Sequence, residues 1–129
     1  MNFDDALGVH PQALQLRARR AEVIASNLAN ADTPGFKAQD FDFHKVLAGE
    51  MQGPVRMQTT NAKHIQTDNG LIPPTQMLYR SPTQPSLDGN TVDTEQEHAA
   101  FASNSVEYQA SLRFLNGKVS GLRSAIRGE

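Results

Sequence analysis

The fold of this chain is decided by residues 94–126, which read TEQEHAAFASNSVEYQASLRFLNGKVSGLRSAI. Side chains along this stretch recur at alternating gaps of four and three residues: Phe101, Ser105, Tyr108, Leu112, Leu115, Val119, Leu122 and Ile126. The alternation places them on one face of a helix, at the a and d positions of a coiled coil. No proline interrupts the stretch, so the pattern predicts one helix roughly 50 Å long. Such a helix cannot bury its own apolar face and needs a partner.

The start of this helix is marked by a turn and a cap. Asp88-Gly89-Asn90 is typical of a tight turn. Asp93, followed three residues later by Gln96, is typical of a capping box. We therefore assign residues 93–129 to the C-terminal long helix.

The N-terminal stretch carries a second and weaker seam. It consists of Phe3, Leu7, His10, Leu14, Arg17, Ala21, Ile24 and Leu28. Pro11 removes a helical donor, so we expect a short helix to about Val9 and a restart with Pro11 in the first turn. The helix must stop before Pro34, and Pro34-Gly35 suits a type II turn in which glycine has a positive φ. Residues 1–31 thus form the N-terminal helix.

Two terminal heptad segments predict an antiparallel coiled-coil hairpin, so the fold class is mainly α. The expected register places Leu28 near Phe101, Ala21 near Tyr108, Leu14 near Leu115 and Phe3 near Ile126. The polar members of the seams offset much of the apolar burial, so the stability of two helices alone is close to zero. We expect termini that are largely disordered in the free monomer and fold on assembly.

The middle segment, residues 32–92, shows no sustained period and is expected to be irregular and partly extended. Residues 41–43 favour either a short extended piece or a short helix capped by Asp42, and we prefer the helix, ended by Gly49 or Gly53. Residues 55–60 alternate and predict a strand. The prolines of residues 73–85 predict a loop or arm, with a disordered linker as the alternative.

The composition favours an elongated subunit that buries surface against neighbours. Hydrophobic residues make up 38% of the 129 residues, the mean hydropathy is -0.51 and there is no tryptophan. The net charge of -2 gives no nucleic-acid footprint. The absence of cysteine excludes disulfides and thiol catalysis. The acidic N-terminus lacks the apolar region of a cleaved signal peptide, and no run is long enough to span a membrane.

No catalytic, metal or cofactor constellation is found in the sequence. The four histidines are scattered, without partners at metal-ligand spacing. Residues 88–93 resemble a calcium loop only superficially, because the alternating ligands and the bidentate glutamate are missing. We therefore expect no enzyme activity, no small-molecule substrate and no cofactor. The candidate functional residues are those of the packing seam: Leu14, Ala21, Ile24, Leu28, Phe101, Tyr108, Leu112, Leu115, Val119, Leu122 and Ile126.

Two segments carry a family resemblance. SNLANADTPGFKA, at residues 26–38, is similar to the N-terminal signature of bacterial flagellar rod and hook proteins. YRSPTQPSLDGNTVD, at residues 79–93, resembles the corresponding segment of the FlgB family of proximal rod proteins. The signature positions are Asn27, Asn30, Thr33, Pro34, Gly35, Phe36, Asp88, Gly89, Asn90 and Asp93.

The resemblance implies a structural subunit of the flagellar basal-body proximal rod. Such subunits assemble helically into the drive shaft that transmits torque from the MS ring towards the hook. The implied partners are copies of the chain itself, other rod proteins of the FlgC, FlgF and FlgG kind, a FliE-type adaptor, the MS ring and the flagellar type III export apparatus. The implied location is the rod in the periplasm, reached without a cleaved signal peptide. Residues Val46 and Leu47, or the neighbouring phenylalanines, are candidates for contact with the export gate.

Two alternatives stay open. One is another axial protein of the FlgC type, against which residues 86–93 argue. The other is a soluble helical adaptor or export chaperone, which predicts a discrete folded oligomer in solution.

Overall fold

The computed structural model describes residues 6–51 and 77–128. In chain order its elements are α1 (His10–Ala29), β1 (Gln39–Phe41), α2 (Phe43–Met51), β2 (Met77–Tyr79) and α3 (Thr94–Arg127). The predicted fold class, two antiparallel terminal helices with a partly extended middle, is confirmed. The strand expected at residues 55–60 and the pairing of Phe3 fall outside the described residues.

Helix α1 begins and ends where its sequence signals lie. Gly8 has φ +65° and Pro11 occupies the first turn, so the expected restart is confirmed. The Asn30 side chain donates to the carbonyl of Ser26 at the other end. The following turn places Gly35 at φ +72°, and the N–H of Phe36 donates to the carbonyl of Thr33, as a type II turn requires.

Helix α3 is a single helix of 34 residues. The Asp93 carboxylate caps its N-terminus by accepting hydrogen bonds from the N–H groups of Glu95 and Gln96 at 3.1 and 3.2 Å. Its C-terminus ends at Gly128, which adopts the left-handed conformation. None of the helices in the described ranges is both long and apolar enough to cross a membrane.

The described parts of the middle segment, residues 32–51 and 77–92, contain more regular structure than the sequence indicates. Both alternatives for residues 41–43 occur, because β1 ends at Phe41 and Asp42 then caps α2 through the N–H groups of His44 and Lys45. Helix α2 continues through Gly49 to Met51. Strand β2 lies within the stretch expected as a loop or linker, and it pairs antiparallel with β1 in the register Gln39–Tyr79.

The apolar core lies between α1 and the middle segment. The buried cluster consists of Ala13, Leu16, Phe41, Phe43 and Val46, with Val23, Leu47 and Met77 packed against it. The largest buried apolar cluster thus lies on the side of α1 that faces β1 and α2, while the predicted seam residue Ile24 is fully buried outside this cluster. α1 directs this apolar face at β1 and α2, and a different and more polar face at α3.

The predicted hairpin register is also wrong, by about one helical turn. His10 stacks on Phe114 with ring centroids 5.7 Å apart, whereas the predicted register brings Leu14, one turn further along α1, to Leu115. Arg17 contacts Asn104, Glu107 and Ser111. These polar contacts fix the register, and an apolar heptad pattern alone does not distinguish neighbouring turns.

Candidate assembly site at the helix junction and along helix α3

The two signature segments meet in space and form what we call the junction, residues 30–38 and 86–93. Asn90 is its centre and is buried. Its side-chain amide donates to the carbonyl oxygens of Asn30, Ala31 and Thr33 at 2.8–2.9 Å. These carbonyls belong to the turn that follows α1, where those of Asn30 and Thr33 also accept backbone N–H groups, from Thr33 and Phe36. Asn90 therefore ties the end of α1 to the loop that leads into α3.

Two glycines allow the loops of the junction to approach closely. Gly35 and Gly89 both have positive φ, +72° and +77°. The N–H of Gly35 donates to the carbonyl of Asp88 at 2.8 Å, and a Cβ on Gly89 would lie 3.8 Å from the Cα of Gly35. The N–H of Thr91 donates to the carbonyl of Phe36 at 3.0 Å. The chain thus holds both ends of the middle segment together through backbone contacts.

Asn27 extends the junction to β1. It is buried on α1, and its amide donates to the carbonyl of Gln39 at 2.7 Å while its carbonyl accepts from the Gln39 N–H at 3.0 Å. This pair of bonds copies the exchange between paired strands. Asn27 therefore satisfies the edge of β1 that faces α1.

Four charges from four parts of the chain form a connected network, which we call the charge network: Arg20, Asp40, Arg80 and Glu97. Arg20 donates to both oxygens of Asp40, at 3.2 and 3.1 Å. Arg80 places Nη2 2.7 Å from Asp40 Oδ2 and Nη1 3.0 Å from Glu97 Oε1. The second contact is an ion pair without hydrogen-bond geometry, because both Glu97 carboxylate oxygens are buried without a hydrogen-bond donor in the described structure.

The electrostatics of the charge network favour the ionised forms. Burial raises the pKa of Asp40, but hydrogen bonds from Arg20, the Phe41 N–H and Arg80 outweigh burial and hold this pKa below its ordinary value. The hydrogen bond to Asp40 raises the pKa of Arg20. Asp40 is therefore a carboxylate between two permanently charged guanidinium groups.

Contact between α1 and α3 is largely polar and centres on Arg17. Its Nε donates to Ser111 Oγ at 3.2 Å, its guanidinium pairs with Glu107, and its carbonyl accepts from the Asn104 amide at 2.9 Å. The guanidinium also lies over the ring of Phe43, 4.2 Å from the centroid. One arginine thereby holds the long helix and the middle segment on α1.

The predicted seam on α3 lies beside this polar contact. We call it the apolar face: Phe101, Tyr108, Leu112, Leu115, Val119, Leu122 and Ile126. Three residues of the apolar face are each more exposed than the residue immediately before them: Phe101 after Ala100, Tyr108 after Glu107 and Leu112 after Ser111. One residue corresponds to about 100° of rotation around the helix. The exposed fraction is 42% for Phe101, 49% for Val119 and 79% for Ile126, while Leu115 and Leu122 are half-buried. Most of the apolar face is thus open in the single chain.

The seam residues of α1 differ in how deeply they are buried. Ile24 is buried, and Leu14, Ala21 and Leu28 are half-buried. The fully covered apolar residues Ala13 and Leu16 each precede a seam position by one residue. α1 is therefore rotated towards the middle segment relative to the expected hairpin.

The charge network is the part of the site that sequence reasoning missed. Arg20 belongs to an arginine cluster that reads as a solvated or intersubunit face, and Glu97 reads as a first-turn acid that favours the helix dipole. The nearest local signal is the sequence of β1, in which Asp40 lies between the half-buried Gln39 and the buried Phe41. Its partners are 20 and 40 positions away, so no local pattern predicts them.

The charged side chains around the site's cavity are engaged with one another. A cavity of about 300 Å³ is lined by Arg17, Arg20, Phe43 and their neighbours, and both arginines are already paired with carboxylates. Within residues 6–51 and 77–128, no group of three or more His, Cys, Asp or Glu side chains could hold a metal ion.

Comparison with known proteins agrees with this arrangement. A model of the family "Flagella basal body rod protein" matches residues 7–37, which span α1 and the first loop of the junction. The flagellar basal body rod protein FlgB of Aeromonas hydrophila is 50% identical over 132 residues, which covers all of this chain and 98% of that protein. FlgB of Cereibacter sphaeroides (strain ATCC 17029 / ATH 2.4.9) is 48% identical over 98% of each chain. FlgB of Escherichia coli (strain K12) is 46% identical over 97% of this chain and 95% of that protein.

Proposed function

The chain belongs to the FlgB family of flagellar basal body rod proteins, and we propose that the apolar face of α3 is its principal contact with neighbouring subunits. It is a structural protein of the rod and assembles with other components of the flagellar basal body. Within the proposal, residues 1–31 and 93–129 pack in the shaft and residues 32–92 brace adjacent subunits. The proposed assembly and packing seam consists of Leu14, Ala21, Ile24, Leu28, Phe101, Tyr108, Leu112, Leu115, Val119, Leu122 and Ile126.

One observation carries this proposal. Helix α3 has five large apolar side chains of the predicted seam exposed along one side, Phe101, Tyr108, Leu112, Val119 and Ile126, while its polar residues Asn104 and Ser111 are buried. A row of exposed large apolar side chains on one face is typical of a contact with another protein. The side chains follow the heptad spacing that packs against a second helix. A helical neighbour therefore suits this face best.

The finer assignments come from the family and are part of the same proposal. The subunit lies in the proximal, periplasmic part of the rod and transmits torque through side-chain packing rather than catalysis. Its neighbours are copies of itself, FlgC-, FlgF- and FlgG-like rod proteins, a FliE-type adaptor and the MS ring. Repeated contacts that do not close into a ring build such a shaft.

The proposed export through the flagellar type III apparatus fits a chain that is unfolded in transit. Val46 is buried and Leu47 is packed against the same core in the folded chain. These side chains can contact the export gate only before the core forms. Secretion of the full chain by export-competent cells, and its retention in cells without the export apparatus, is the expected result.

The apolar face is tested by placing a charge on it. Leu112→Asp should abolish rod assembly and swimming in cells that lack the chromosomal copy, because a buried unpaired carboxylate is strongly unfavourable at a packed interface. Ser120→Asp introduces the same side chain on the exposed polar side of α3 and should swim normally. Motility in soft agar, basal-body isolation and immunoblots of the subunit are the measurements. Normal swimming of the Leu112→Asp cells would contradict the proposed contact.

A further inference from the structure

We propose that Arg80 is a positioning residue that fixes the register of β2 on β1 and thereby the place where the N-terminal turn of α3 docks. Its guanidinium lies between carboxylates from two elements, 2.7 Å from Asp40 on β1 and 3.0 Å from Glu97 on α3. The Arg80 side chain is largely buried, with 16% exposed. This inference goes beyond the proposed rod function and does not depend on it.

The sheet is too short to fix its own register. β1 and β2 pair over three residues each, and an isolated two-stranded sheet is marginally stable in water. Apolar contrast between the two faces is weak as well, because Leu78 and Tyr79 are both exposed and only Met77 packs against the core. A strand with weak contrast between its faces is prone to slip. Another interaction must therefore select the observed pairing.

Arg80 selects the observed register because it directly follows β2 in the chain. Its N–H donates to the carbonyl of Ala38 at 2.9 Å, which continues the antiparallel pairing one step beyond Gln39 and Tyr79. A slip of two residues keeps side chains on the same face but moves the guanidinium by about 7 Å along the strand. Both ion pairs would then be lost. Only the observed register lets one guanidinium reach Asp40 and Glu97 together.

Glu97 makes the position of α3 depend on Arg80 as well. Its side chain is fully buried, and neither carboxylate oxygen has a hydrogen-bond donor in the described structure, so Arg80 is its compensating charge. Removing one partner of a buried ion pair is strongly unfavourable, whereas replacing both by apolar groups is often neutral. The other nearby cation, Arg20, is engaged with both oxygens of Asp40. The first turn of α3 can therefore be buried only where Arg80 already lies.

Disulfide formation between introduced cysteines reports this register directly, because the full chain has no cysteine of its own. The pair Gln39→Cys with Tyr79→Cys tests the observed register, and Gln39→Cys with Ser81→Cys tests a slip of two residues. Gln39 and Tyr79 follow a hydrogen-bonded pair, so their Cα atoms should lie about 4.5 Å apart, within disulfide range. A diagonal neighbour lies at about 7–8 Å, which is outside it.

The measurement is the rate of cross-linking of the purified full chain with copper-phenanthroline. We expect the observed pair to form at least about ten times faster than the slipped pair, given the narrow distance range of disulfides. In Arg80→Met the ratio of the cross-linking rate of the observed pair to that of the slipped pair should fall to about two or less, since the strand no longer has a preferred register. Arg80→Lys should give an intermediate ratio, because a single ammonium lacks the fork that reaches two carboxylates.

Two further variants separate loss of register from loss of folding. Arg80→Met with Glu97→Met removes both charges, so total cross-linking should return towards the original rate while the ratio stays low. Arg19→Met removes an arginine from an exposed pair with Glu22 and should keep the original ratio. The proposal is overturned if Arg80→Met keeps the original ratio, if the double variant regains it, if Arg19→Met loses it equally, or if the unsubstituted background shows no preference.

Discussion

Asn90 shows how one side chain closes a helix end. Its amide meets three carbonyls at the end of α1, and its own carbonyl accepts the Val92 N–H at 2.7 Å. The side chain is buried, so it satisfies these backbone groups where water has little access. Two signature segments that are far apart in the sequence thus depend on one amide.

Replacing Asn90 by alanine should lower the free energy of unfolding by about 1–3 kcal/mol, because three carbonyl oxygens each lose a hydrogen bond from its amide. Asn90→Asp should lower it at least as much, since it sets a negative charge against those oxygens. Urea denaturation of the full chain measures both. Asn116→Ala, at an exposed position of α3, should change the value by less than about 0.5 kcal/mol. Equal losses at both positions would argue against a special role for Asn90.

Gly35 isolates the effect of backbone conformation. Its φ is +72°, and a Cβ at this position would meet nothing within 4 Å. Gly35→Val should therefore destabilise the corner between α1 and β1 by about 1–2 kcal/mol through strain alone. Gly117→Ala serves as the control, because it also has open space but ordinary helical φ, and it should stabilise α3 by about 0.5–1 kcal/mol. Thermal unfolding compares them, and a neutral Gly35→Val would show that the left-handed conformation is not required.

The charge network connects four parts of the chain to one another. α1 supplies Arg20, β1 supplies Asp40, the residue after β2 is Arg80, and α3 supplies Glu97. Ion pairs that share one carboxylate or one guanidinium make each element depend on the next. The hairpin and the middle segment should therefore lose structure together rather than one at a time.

This coupling predicts an acid-sensitive stability. The pKa of Asp40 is below its ordinary value of 3.8 in the folded chain, so its contribution is present above about pH 4 and is lost as the pH falls through the folded pKa. Asp40→Asn should lower the free energy of unfolding by about 1–3 kcal/mol at pH 7. The difference from the unsubstituted chain should shrink as the pH is lowered towards 2.

Urea denaturation at several pH values measures this difference. Asp32→Asn, at an exposed carboxylate, controls for the loss of one negative charge. A difference between Asp40→Asn and the unsubstituted chain that stays constant down to pH 2 would exclude the proposed linkage.

The molecule as a whole is packed at one end and open at the other. The junction and the charge network surround the C-terminal half of α1, β1 and the start of α3, and the apolar core packs β1 and α2 on the first half of α1. Beyond Phe114, by contrast, no hydrogen bond or ion pair of the described chain joins α3 to another element. Val119 and Ile126 are exposed there. The distal part of α3 thus presents exposed apolar side chains to which a neighbouring subunit can bind.

We expect the distal part of α3 to be disordered in the free monomer and to become helical on assembly, because Val119 and Ile126 are exposed and a helical segment of about a dozen residues is marginal in water by itself. Hydrogen–deuterium exchange of the dilute full chain should be fast in residues 116–127 and slower in residues 94–107. The same peptides in isolated rods provide the comparison and should both be protected. Uniform protection along α3 in the monomer would contradict this expectation and favour a stable solitary hairpin.

Among the features of the site, those with local causes were predictable and those with distant partners were not. The turn at Gly35 and the cap at Asp93 follow from residues within a few positions of each other. The family signature marked the residues of the junction, including Asn90, without showing that they touch. Arg80 and Glu97 could not be found, because each reads as an exposed charge until the other is placed beside it.

Local sequence patterns were sufficient to predict the ends of α1 and α3, the turn between α1 and β1, and the apolar row on α3. These properties depend on backbone sterics, capping and helical period, which act over one or two turns. The face of α3 that meets α1 depends instead on contacts between residues far apart in the sequence. The apolar row and the polar row of Asn104 and Ser111 differ on average by only about 50° of rotation, so the heptad pattern alone does not decide which of them faces inward. The ion pairs and hydrogen bonds of Arg17 settled that choice, because they require partners some 90 positions away, and they left the apolar face open for another subunit.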